Sequence, residues 1–125
     1  MDELPGPAVE ELRLDQVLAA FADPARLSIV GLLADGAERS CSPAGFPMTL
    51  HKSTMSHHYR VLREAGVTLT RVDGRHRFVR LRRADLDARF PGLLDAVLAG
   101  LPSVPPAVMS AVLPAVSPAV SEGSA

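Results

Sequence analysis

A single cysteine, Cys41, in 125 residues leaves no partner for an intrachain disulfide and fits a reducing compartment. No apolar run reaches the ~18 residues that a membrane-spanning helix needs. The start, Met1-Asp2-Glu3-Leu4-Pro5, has neither a positive n-region nor an apolar h-region. These absences predict a cytoplasmic protein without a membrane partner. The sequence also lacks a glycine-rich phosphate loop, a His-Glu-x-x-His pair and a nucleophile elbow. Cys41 lies in a Ser/Pro/Gly stretch with only Arg39 near it in sequence, which is no setting for a thiol nucleophile, so the chain reads as a non-enzyme.

Acidic residues are scarce in one stretch. Residues 51–83 hold nine of the 13 Lys and Arg against only Glu64 and Asp73, a local charge of +7, whereas residues 1–50 sum to −5 and residues 84–125 to −3. The overall charge of −1 therefore hides a concentrated positive field. All four histidines lie in the same stretch.

Within it, residues 53–66 read as one short helix, with Ser53 as N-cap and Gly66 as C-terminal stop. Met55, Tyr59 and Leu62 recur at i, i+4 and i+7 and predict a buried face. Ser56, Arg60 and Arg63 cluster on the other face, with His57 on their far flank and His58 beside the apolar stripe. A face of Ser, His and Arg suits a major groove, where Arg pairs with guanine and the helix N-terminus attracts phosphate. Directly after it, residues 67–72 and 75–81 are rich in β-formers and flank Asp73-Gly74, a strong hairpin signal. Arg71, Arg75, His76 and Arg77 gather near the hairpin tip, where charge serves a phosphate backbone or minor groove. Helix plus basic hairpin is a winged-helix arrangement.

The stretch S-T-M-S-H-H-Y-R-V-L-R-E-A-G at residues 53–66 closely resembles the recognition helix of the ArsR/SmtB family of winged-helix transcriptional regulators. Upstream, residues 21–30 resemble that family's A-D-P-x-R-L-x-I-L segment, and Asp73-Gly74-Arg75 sits where its wing turns. The likeness covers roughly residues 14 to 101, with the three motifs in the family's order. It implies a dimeric DNA-binding regulator, usually a repressor released by a metal ion or another chemical signal.

The rest of the chain is read in that light. Residues 1–8, with Pro5, Gly6 and Pro7, are expected to form a flexible arm. Leu14, Val17, Leu18 and Phe21 outline an amphipathic first helix ending near Ala22. Asp23-Pro24 opens a second helix, apolar on nearly every side through Leu27, Ile29, Val30, Leu32 and Leu33, which belongs in the centre. Residues 37–52 depart from the family: Pro43, Gly45 and Pro47 leave at most short helical turns, so the first helix of the helix-turn-helix is expected to be truncated or replaced by a loop held by Phe46, Met48 and Leu50. After Pro91-Gly92 a last helix runs to about Leu101, with Leu93, Leu94, Val97, Leu98 and Leu101 on one stripe. The family resemblance implies that the first and last helices build a two-fold interface, through Leu14, Leu18, Leu94, Val97, Leu98 and Leu101. Residues 102–125 carry five prolines and no aromatics, cannot bury enough surface to offset chain entropy, and are expected to be a disordered tail.

Metal sensing is a separate question. Family members that bind metal near the helix-turn-helix use closely spaced cysteines, and here Ser40-Cys41-Ser42 offers one thiol. Those that bind on the last helix use Asp-x-His, and here no histidine follows Asp85-Leu86-Asp87. What remains is Cys41, His51, His57, His58 and His76, a set chemically suited to Ni or Zn if brought together.

The sequence thus predicts a mainly α winged helix-turn-helix domain over residues 9–101 with a small β-hairpin, acting as a homodimer on an inverted-repeat operator in double-stranded DNA. Ser56, His57 and Arg60 are expected at base edges, and Lys52, Thr54, Arg63, Arg71, Arg75 and Arg77 at phosphates or the minor groove. The rival reading is a small protein-interaction module or a regulator signalled by an organic ligand or partner protein. Salt dependence separates a DNA binder from an apolar interface.

Overall fold

A computed structural model describes residues 2–42, 45–46 and 50–101. The order is β1 (Asp2–Glu3), a 3-10 turn (Val9–Glu11), α1 (Leu14–Phe21), α2 (Pro24–Leu32), β2 (Arg39–Ser40), α3 (Lys52–Ala65), β3 (Thr68–Asp73), β4 (His76–Leu81), α4 (Arg83–Arg89) and α5 (Leu93–Ala99). The four strands make one antiparallel sheet in the order β1-β3-β4-β2. Mainly α with a small β-hairpin, this is a winged helix-turn-helix arrangement.

The second helix is central, as its all-round apolar pattern predicts. Asp23 caps it by accepting from the Arg26 amide, Pro24 opens it, and Ile29, Val30 and Leu33 are fully buried. Around them close Leu12, Val17, Leu62, Val67, Val79, Leu86 and Leu94, so α1, α3, β4, α4 and α5 all contribute to one core.

Three differences from the sequence reading have local causes. The arm over residues 2–8 is laid against the domain: Glu3 pairs with Arg71, Leu4 N–H donates to the Thr70 carbonyl, and Arg82 donates to the Pro7 carbonyl. The edge of β3 offers unpaired backbone groups that this short segment satisfies. Ahead of α1, Val9–Glu11 form a separate 3-10 turn that the periodicity did not announce, closed by the Glu11 carboxylate accepting from the Ala8 amide. The third difference is α4, which lies between the wing and α5 and is held at its start by the buried Arg82 against Asp85.

Between α2 and α3 the described residues hold only β2 and turns. Arg39 ties this loop down by donating to the carbonyls of Leu32 and Gly45. Phe46 is buried with its ring against Tyr59, centroids 5.4 Å apart. Met48, expected as an anchor, and the tail over 102–125 lie outside the described residues.

α5, expected to supply part of a dimer stripe, packs on its own domain. Leu94 is 1% exposed inside its own chain, and Leu93, Val97 and Leu98 also pack on that core. The Leu101 side chain lies so close to Gly31 of α2 that a Cβ added there would come within 3.1 Å of it. A helix placed directly after α4 folds back onto its own domain. On α1, by contrast, Leu14 and Leu18 stay 48% and 45% exposed while Val17, Ala20 and Phe21 face inward.

Candidate nucleic-acid interface

α3 sorts its side chains as the period-3.6 pattern requires. Met55, His58, Tyr59, Leu62 and Ala65 are buried; Lys52, Ser53, Thr54, Ser56, His57 and Arg60 are exposed. The helix begins at Lys52, two residues earlier than Ser53 as N-cap would give, with His51 in the cap position and no side-chain cap bond. A helix start keeps main-chain N–H groups without intrahelical partners, and here no capping side chain takes them. They are an anion site in waiting, flanked by Lys52 and Ser53. At the other end Gly66 takes the left-handed conformation (φ 85°), and a Cβ there would come within 2.0 Å of the Leu12 side chain. Glycine is demanded twice, by the turn and by the close approach.

Arg60 and His57 form a pair on the exposed face, Nη2 to Nδ1 at 3.1 Å. A guanidinium only donates, so Nδ1 is the acceptor in this pair. A shallow concavity at the start of α3 is lined by His51, Lys52, Ser53, Ser56, His57 and Arg60. Base-edge chemistry and phosphate chemistry thus share one surface.

The wing stands beside it. Asp73 pairs with His76, so the two-residue turn is Gly74-Arg75, one step later than Asp73-Gly74 implied, with Gly74 at φ 62°. Arg75, His76 and Arg77 are exposed at the tip. Between wing and α3 lies a cavity of ≈ 760 Å³, lined on the helix side by Lys52, Ser56 and Arg63 and on the wing side by Arg75, His76 and Arg77. Its floor includes Phe46, Met55 and Tyr59, and burial pushes the Tyr59 phenol well above its usual range, so it stays a neutral hydroxyl.

Two of the expected phosphate arginines are placed otherwise. Arg71 makes a two-pronged bond to Glu38, at 2.8 and 2.7 Å, and lies over the Phe78 ring at 4.6 Å. It stands across from Phe78 on the sheet, and its bonding holds the Glu38 carboxyl below the ordinary carboxylate range. Arg63 is half-buried, with Nε closed off and unbonded, and the arm passes over it at Gly6. The residues that sequence reading missed are Arg26, Glu38 and Arg39. Their effect is positional, and for Arg26 a signal existed: it is the one charged side chain within an otherwise apolar central helix.

The five candidate metal ligands are not brought together. Among the described residues no group of three or more His, Cys, Asp or Glu is placed to hold an ion. Burial raises the Cys41 thiol to about 11, far from the thiolate a metal needs; His58 Nδ1 is taken by Arg26 and His57 Nδ1 by Arg60. This donor set does not fit a metal site.

Comparison with known proteins gives consistent findings. Residues 21–71 match a family described as a helix-turn-helix domain. The chain is 39% identical over 83 residues to the uncharacterized HTH-type transcriptional regulator YceK of Bacillus subtilis (strain 168), covering 66% of this chain and 83% of that protein. Two crystal structures share the fold. One, described as an ArsR family transcriptional regulator, is 24% identical with a TM-score of 0.55 over 69% of this chain and 88% of that one. The other, described as a possible transcriptional regulator for arsenical resistance, is 34% identical with a TM-score of 0.52 over 73% of this chain and 100% of that one.

Proposed function

The chain belongs to the ArsR-type family of winged-helix transcriptional regulators, DNA-binding proteins and not enzymes, and from that premise we propose that it acts as a homodimeric repressor on an inverted-repeat operator. The observation that carries this reading is the start of α3, where uncapped main-chain donors, Ser56 and the Arg60–His57 pair share one exposed surface beside the basic wing tip. Ser56, His57 and Arg60 reach base edges in the major groove, while Lys52, Thr54 and the first amides of α3 hold a phosphate. Arg75 and Arg77 grip the backbone alongside. Arg71 supports the wing from the sheet and does not serve as a primary contact.

Leu14 and Leu18 on α1 support the dimer, because among the described residues they are the large apolar side chains left most exposed. An organic ligand, a partner protein or protein concentration is favoured as the signal over Ni or Zn, because the described residues do not bring the candidate donors together and the Cys41 thiol is held protonated. Selection of duplexes from a random pool, followed by binding at rising salt, tests the whole reading. The expected result is an enriched palindrome whose affinity falls steeply with salt, in proportion to the phosphates neutralised. Failure to enrich any sequence would refute it.

A further inference from the structure

The recognition helix is held by a contact that none of its DNA-facing residues share. Arg26, in the first turn of α2, sends all three guanidinium nitrogens to other helices. Nε donates to the Ala20 carbonyl at 2.8 Å, Nη2 to the Ala19 carbonyl at 3.4 Å and Nη1 to His58 Nδ1 at 3.1 Å. Ala19 and Ala20 lie in the last turn of α1, where a helix has spare carbonyls and its dipole favours a cation. A side chain near the start of a helix points back toward its N-terminus, which brings this one Arg to the junction of three helices.

His58 is the receiving group, 8% exposed, on the core side of α3. Because a guanidinium has no acceptor, Nδ1 must be unprotonated, and the ring's proton sits on Nε2, 4.0 Å from the Asp23 carboxylate. Asp23 also caps α2 through the Arg26 amide, 3.1 Å away. The charged and titratable groups around the ring are thus Asp23 and Arg26 from α2 and His57 from α3 itself, while α1 contributes the carbonyls that fix Arg26. A neutral His58 satisfies this set. A second proton, on Nδ1, removes the acceptor and sets an imidazolium against a guanidinium.

We propose that Arg26 is a positioning residue for DNA reading: through neutral His58 it fixes α3 against α1 and α2, and protonation of His58 releases that hold and lowers discrimination between operator and other DNA. The inference rests on the DNA-binding reading above. Base contacts need side chains placed to within fractions of an ångström, whereas phosphate grip from the flexible wing arginines does not, so loosening α3 costs selectivity before it costs affinity. Burial, which disfavours the charged ring, keeps His58 neutral near neutral pH.

The test measures affinity for a selected operator and for a scrambled duplex by fluorescence anisotropy across pH. For the wild type the ratio of the two should hold above about pH 6.5 and fall by about tenfold as the pH is lowered further, the size of one charged hydrogen bond. His58→Asn puts a carbonyl oxygen where Nδ1 stood and cannot titrate; it should keep the wild-type ratio and lose the pH dependence. Arg26→Lys keeps the charge but not the three-way reach, and should lower the ratio at every pH while leaving scrambled-duplex affinity within about twofold, because phosphate contacts are untouched. A flat wild-type ratio, an unaffected Arg26→Lys, or a His58→Asn that still shows the wild-type fall would each overturn the proposal. Should the wild type prefer no duplex, the DNA reading itself fails. The positioning claim is then decided by nuclear magnetic resonance: unchanged α3 amide exchange and an unchanged His58 Nδ1 signal in Arg26→Lys would overturn it separately.

Discussion

Arg60 and Arg71 lie in the same basic stretch with the same formal charge, and their surroundings give them different work. Arg60 sits on the outer face of α3 with His57 and is free to turn toward a base. Arg71 is held by Glu38 and Phe78. If Arg60 reads a base, Arg60→Ala costs about 1–3 kcal/mol and flattens preference at one position of each half-site, while Arg75→Ala at the wing tip weakens all sequences alike. Binding of single-base operator variants checks this, and equal losses for both substitutions on every sequence would sink the assignment. His58 makes a prediction about folding alone. Its folded-state pKa is lowered from 6.5, chiefly by burial, with Arg26 and His57 adding to that and Asp23 opposing it. The unfolded chain therefore binds this proton more readily, so stability is held above about pH 6.5 and declines as pH falls below it. Urea unfolding at stepwise lower pH should show that decline in the wild type and a smaller one in His58→Asn.

Elements made by local pattern were legible in the sequence, and elements made by edge pairing were not. α3, its glycine stop, the wing and the capped central α2 follow from periodicity, Asp23-Pro24, Gly66 and Asp73-Gly74, all signals within a few residues of what they shape. β1 and β2 are two residues each and exist only because the β3–β4 hairpin offers two open edges. α4 was hidden because its seven residues bury only Leu86 fully and are steadied by ion pairs of Arg83 with Asp87 and Asp95. In the same way the candidate site was legible where residues face outward and illegible where an acceptor distant in sequence, such as Glu38 for Arg71, takes a cation out of play. Gly66 tests the legible part. Gly66→Ala adds left-handed backbone strain of about 1 kcal/mol to a collision with Leu12, so a loss above 2 kcal/mol is expected from the combination. Denaturant unfolding measures it; a loss below 1 kcal/mol would mean that the turn re-forms without its close approach.

For the whole molecule, the question is which apolar surface a second copy covers. The sequence stripe on the last helix suggested Leu94 together with Val97, Leu98 and Leu101, but the folded chain takes Leu94 into its own core and leaves Leu14 and Leu18 on α1 facing out. These placements separate two effects that a charge substitution otherwise confuses. Leu94→Glu buries a carboxylate with no partner and should unfold the monomer, at a cost of several kcal/mol. Leu18→Glu puts the same charge on a surface that is dry only in a dimer, so the chain keeps its helical circular dichroism, runs as a monomer by light scattering, and loses tight operator binding because one recognition helix alone grips a half-site. Half-site centres should then lie about one helical turn, 34–36 Å, apart or a multiple of it, as two-fold symmetry on one face of the duplex requires. A Leu18→Glu protein that remains dimeric would shift the interface away from α1, and a Leu94→Glu protein that folds normally would show that α5 detaches from its own core to reach the partner.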